Sequence, residues 1–85
     1  MTELELYKFI NDNIIEWHIR DNDGTPDIII FVYTFQIDEF YKLIKSSIDE
    51  GIECRLMDGY FAFWMNDICD YYGIDMYKVF DGDEQ

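Results

Sequence analysis

"EWHIRDNDGTPDIIIFVY", residues 16–33, decides the fold. Its first part alternates. With the preceding Ile15, Trp17 and Ile19 take one parity, while Glu16, His18 and Arg20 take the other. A period of two marks a strand with one wet face. Its last part, from Ile28 to Tyr33, is β-branched or aromatic at both parities. A strand covered on both faces reads this way. Between them, "DNDGTPD" at 21–27 sets three carboxylates around a glycine and a proline. A calcium loop of the EF-hand kind needs oxygen donors at its first and twelfth positions and glycine at its sixth. With Gly24 at the sixth, those two positions fall on Ile19 and Ile30, which carry no donor oxygen in their side chains. Turn chemistry accounts for the stretch better. Asp and Asn tolerate left-handed backbone, Gly needs no side-chain room, and Pro26 ends strand pairing. The segment is a β-hairpin with an acidic tip.

Upstream, "TELELYKFIND" reads as a helix. Thr2 and Glu5 form a capping box, and Leu6, Phe9 and Ile10 share one helical face. Downstream, "DEFYKLIKSSIDEG" reads as a second helix capped by Asp38, with Phe40, Leu43, Ile44 and Ile48 as its stripe and Gly51 as its stop. "IECRLM" alternates, with Ile52, Cys54 and Leu56 expected inward. Asp58–Gly59 is a short hairpin signal. "YFAFWM" is apolar at both parities. "NDICDYYG" is a short helix with Asn66 as cap and Gly73 as stop. "IDMYKVF" is a last strand or an ordered tail, and residues 81–85, "DGDEQ", a flexible acidic tail.

The fold class is therefore α+β. One small domain spans residues 1–85 in the order α-β-β-α-β-β-α, with an antiparallel or mixed four-stranded sheet packed by helices. "LELYKFI" at 4–10 aligns with "DEFYKLI" at 38–44, so an αββ unit looks duplicated. Duplication places the doubly apolar strands in the centre and the alternating ones at the edges, where their charged residues discourage edge pairing. Three short helices cover one sheet face. The other face, near Phe31, Tyr33 and Trp64, is then either an interface or the seat of a helix that crosses over.

With 85 residues, a chain is near the lower limit for a self-sufficient core. An apolar content of 49%, with 19% aromatic, compensates. The charge is the outlier: nineteen acids against six bases give −13. That repels nucleic acid and anionic membrane and attracts a basic surface. No apolar run approaches membrane-spanning length. The first ten residues are acidic and amphipathic, unlike a secretory signal. Cys54 and Cys69 read as reduced core residues of a cytoplasmic protein.

Catalytic and metal chemistry find no support in the pattern. His18 stands alone, the two cysteines form no CxxC, and no nucleophile elbow or glycine-rich phosphate loop occurs. No cofactor is expected, and the chain is not expected to be an enzyme.

Two functions remain. One is an acidic inhibitor that imitates nucleic acid and occludes the basic groove of a DNA- or RNA-binding protein. Its contacts would be Asp21, Asp23 and Asp27 on the first hairpin tip and Asp58 on the second, extended by Glu16 and Glu53. Phage-encoded blockers of restriction or CRISPR enzymes, acting in a bacterial cytoplasm, resemble this chain in size and charge; the resemblance is compositional. The other is a small cytoplasmic interaction or dimerisation module without catalysis, using Tyr33 and Tyr71 as aromatic anchors. A homodimer is compatible with this second reading.

Overall fold

A computed structural model of the chain describes residues 1–22 and 24–80; the 81–85 tail lies outside the described residues. Helix α1 (Glu3–Asp12) leads into β1 (Glu16–Asn22) and β2 (Thr25–Tyr33). Helix α2 (Ile37–Ile44) follows, continued by a 3₁₀ segment (Lys45–Glu50). Then come β3 (Cys54–Leu56), β4 (Tyr60–Trp64), α3 (Met65–Tyr72) and α4 (Met76–Val79). The four strands form one antiparallel sheet in the order β1-β2-β4-β3. The doubly apolar strands are central and the alternating ones are at the edges, the arrangement that a repeated αββ unit produces.

Register explains the core. Trp17 lies opposite Ile30, Ile30 opposite Phe63, and Val32 opposite Phe61, so these side chains share one face. All four helices contribute to the cluster on that face. Leu6, Phe9 and Ile10 come from α1, Phe40 and Ile44 from α2, Met65, Ile68 and Cys69 from α3, and Val79 from α4. The Thr2–Glu5 capping box forms as the sequence implies, Glu5 N–H donating to Thr2 Oγ1 at 3.1 Å and Thr2 N–H to Glu5 Oε1 at 2.9 Å. Those bonds hold the Glu5 carboxyl below its ordinary range. Gly51 and Gly73 end their segments in left-handed backbone, at φ 82° and 67°.

Four local expectations are corrected. Helix α2 starts at Ile37, so Gln36, not Asp38, holds its cap position. Gln36 makes no cap bond; its Oε1 accepts the Tyr33 N–H at 3.1 Å and its Nε2 donates to Asn13 C=O at 3.0 Å. A buried amide that ties two backbones together is worth more there than on its own helix. Asn66 likewise is not the cap of α3. Its Oδ1 accepts the Ile28 N–H at 3.0 Å and its Nδ2 donates to Pro26 C=O at 2.8 Å, so it stands in for a strand where β4 has already become α3. The stretch around Tyr77 is helix α4, capped by the Asp75 side chain, not a strand. Finally, Cys54 and Leu56 are exposed, Leu56 by 68%, because β3 projects past the helices that would cover it. Both cysteines are free, and only Cys69 is buried. Among the described residues no helix is long and apolar enough to cross a membrane.

Candidate functional site

Among the described residues every helix lies on one side of the sheet, and none covers the opposite parity. Pairing puts Glu16, Phe31, Ala62 and Arg55 in one row across the four strands, and His18, Ile29 and Trp64 in the next. Tyr33 and Tyr60 form a third row and Arg20 with Asp27 another. The aromatic rings touch in series. His18 lies 5.1 Å from Phe31, Phe31 5.4 Å from Tyr60, and Tyr60 6.1 Å from Tyr33, which stacks on Phe35 at 5.9 Å. Edge-to-face and offset contacts at these separations are the favoured ones for aromatic pairs. Phe35 itself is 82% exposed.

The face carries its own charges. Arg55 lies over the Trp64 ring at 5.7 Å, a cation–π arrangement. His18 Nε2 is 3.3 Å from Glu16 Oε1. Arg20 stands across from Asp27. Both arginines and the single histidine of the chain therefore sit on this face. The four lysines, Lys8, Lys42, Lys45 and Lys78, lie in the helical segments. With them are ten exposed acids: Glu3, Glu5, Asp12, Asp38, Glu39, Asp49, Glu50, Asp67, Asp70 and Asp75. The molecule is thus two-sided: an acidic helical layer backs an aromatic, locally balanced sheet face. Between His18, Phe31, Arg55 and Trp64 the face sinks into a shallow depression of about 520 Å³, floored by Ile29 and Ala62.

Among the described residues, the acids nominated as contacts do not form one patch. Asp23 lies outside the described residues, and of Asp21 only the backbone, opposite Pro26 in β1, is described. Asp27 is half-buried on the open face. Asp58 is exposed in the second hairpin, which β2–β4 pairing puts at the other end of the sheet, next to Tyr33. From Asp27 to Tyr33 is six residues of strand, about 20 Å. Glu16 and Glu53 are both exposed but at opposite edges, on β1 and just before β3. Tyr33 and Tyr71 are also apart. Tyr33 is on the open face, whereas Tyr71 is on α3, its hydroxyl donating to Ser46 C=O at 3.0 Å. The residues that sequence reasoning passed over as contacts are Arg20, Arg55, Phe35 and Tyr60. The signal for Arg55 and Tyr60 is parity with Trp64 and Phe31, which becomes usable once the register is known.

Among the described residues, no group of three or more His, Cys, Asp or Glu side chains is placed to hold a metal ion. The chain matches no protein-family model, no curated protein and no solved structure.

Proposed function

We propose that this chain is a non-catalytic protein-binding domain, acting in the cytoplasm through the uncovered face of its sheet. The observation that carries the reading is the continuous run of half-exposed to exposed rings from His18 to Phe35, rimmed by Arg20 and Arg55. Aromatic and arginine side chains are the residue types that dominate binding hot spots. An exposed aromatic patch of this kind is costly to leave in water unless a partner covers it.

Nucleic-acid mimicry is the second reading. The ten exposed acids of the helical layer favour it. In that form the helical layer, not the hairpin tips alone, meets the basic groove of a DNA- or RNA-binding protein, as an anti-restriction or anti-CRISPR inhibitor would.

One experiment separates them. The tagged chain is used to capture proteins from a bacterial lysate, at low salt and at about 1 M, where the Debye length falls to about 3 Å. Phe31→Ser/Trp64→Ser is run in parallel, with circular dichroism as a check on folding. The sheet-face reading expects a partner that survives high salt and is lost with the double variant, each anchor being worth about 2–4 kcal/mol. A partner that high salt releases, and that the double variant retains, refutes this reading and favours mimicry.

A further inference from the structure

Strand β3 is a sheet edge with its backbone open. Met57 N–H donates to Tyr60 C=O at 2.7 Å, and Trp64 N–H donates to Glu53 C=O at 3.3 Å. Residues 53, 55 and 57 therefore turn their polar groups toward β4. By the alternation of an antiparallel ladder, Cys54 and Leu56 turn theirs outward. All three residues of β3 are exposed. Beside this edge, on the helix-bearing side, runs an apolar groove of about 310 Å³ lined by Ile37, Tyr41, Ile44, Ile48, Ile52 and Phe61. Cys54 and Leu56 share that side, since they pair with Phe63 and Phe61. Glu53 and Arg55 share the other, facing the row of Trp64 and Ala62.

We propose that β3 is a dimerisation edge, pairing antiparallel with β3 of a second copy about a two-fold axis at Cys54. Register and charge select both the occupant and the alignment. Centred on Cys54, the pairing sets Glu53 opposite Arg55 of the second copy, twice, and Ile52 opposite Leu56, twice. Opposite charges and apolar pairs directly across a ladder both stabilise it. Centred on Arg55, the pairing sets arginine against arginine, which destabilises it. The two-fold axis is normal to the sheet, so both helical layers stay on one side and both aromatic faces on the other. Two four-stranded sheets become one of eight strands, and the exposed Leu56 of each copy comes to lie beside the groove of the other. The contact is short, so the dimer is weak, and the mutual repulsion of two chains of charge −13 weakens it further at low salt. Screening removes that repulsion, so the dimer fraction rises with ionic strength.

Cys54 provides the test, because hydrogen-bonded partners in such a ladder have Cα atoms about 5.5 Å apart, within the range a disulfide spans. The full chain is oxidised with copper phenanthroline and resolved on a non-reducing gel. Arg55→Cys and Leu56→Cys, each in a Cys54→Ser background, serve as position controls. The expected result is a cross-linked dimer at Cys54 forming at least about tenfold faster than at either neighbour. Arg55→Glu, which faces glutamate with glutamate, lowers the dimer fraction in sedimentation, and adding Glu53→Arg restores it. Equal cross-linking rates at the three positions, or no restoration by the charge swap, overturns the proposal. None of these readouts needs an outside partner. Phe31→Ser/Tyr33→Ser, on β2 and clear of the β3 edge, removes sheet-face anchors and leaves the Cys54 cross-link unchanged, so failure of the dimer is distinct from failure of the sheet-face reading.

Discussion

Phe40→Ala lowers the stability of the fold by about 3–5 kcal/mol, the range for truncating a buried aromatic. Phe40 is fully buried. It stacks on Phe9 with ring centroids 5.0 Å apart and meets Phe63 edge-on at 4.8 Å. One ring thus joins α1, α2 and β4. Truncation loses the transfer energy of the ring and leaves a cavity that three separate elements border. Small domains hold a total of only about 5–15 kcal/mol, and one of this length lies toward the lower end. Much of the chain is then unfolded at 37 °C. Urea titration reads the change as a shift in midpoint at constant slope. Leu4→Ala, at a residue 61% exposed, is the control and moves the stability by less than about 0.5 kcal/mol. A loss below about 1 kcal/mol for Phe40→Ala contradicts the packing described.

Alkaline pH has the second large effect, through Cys69. Burial pushes its thiol up from 9.0 to about 12, with the charge of Asp75 adding to the shift. An acid whose pKa is raised on folding holds its proton longer in the native state. Below pH 9 both states are protonated and the group contributes no pH dependence. Between 9 and 12 the unfolded thiol ionises while the folded one does not. Stability therefore falls as pH rises across that window, by up to about 1.4 kcal/mol per unit. Tyrosines and lysines titrate there too, so the informative quantity is the difference between the wild type and Cys69→Ala. Urea midpoints from pH 8 to 11 are expected to fall more steeply for the wild type. Parallel profiles contradict the burial of this thiol as the cause.

Strand parity carried most of the fold. Trp17 against Glu16 and His18, and the doubly apolar run from Ile28, were enough to rank β1 as edge and β2 as centre. Helix starts were less legible, for a physical reason. Gln36 holds the cap position of α2 and Asn66 lies in the first turn of α3, but their amides bond strand and loop backbone, not their own helices, Gln36 reaching Asn13 and Asn66 reaching Pro26 and Ile28. Only the tertiary arrangement reveals that competition. Cys54 and Leu56 carry the alternation of a buried strand, yet nothing in their own sequence says that the helical layer stops short of them.

The acidic site was the least legible part. In the sequence Asp27 and Asp58 both read as acids of turns, so grouping them was natural, but Asp27 lies within β2 and is half-buried, while Asp58 is exposed in its turn. Antiparallel pairing of β2 with β4 sends the two hairpin tips to opposite ends of the sheet. The same symmetry that made an αββ duplication attractive already implies this separation. The aromatic face had the opposite history. Phe31, Tyr33 and Trp64 were visible as an unresolved patch, and its fate depended on where the helices went. All of them went to the other side.

The bare sheet face is the central claim, and tryptophan fluorescence tests it most directly. The chain has two tryptophans, one on each side of the sheet. Trp17 is 3% exposed in the core, against Phe80, while Trp64 is half-exposed on the open face. Trp17→Phe isolates the emission of Trp64, and Trp64→Phe isolates that of Trp17. Acrylamide is expected to quench Trp64 steeply and Trp17 little, with Trp64 emitting further to the red. Equal shielding of the two would mean that something covers the face in the free protein, and would contradict the account.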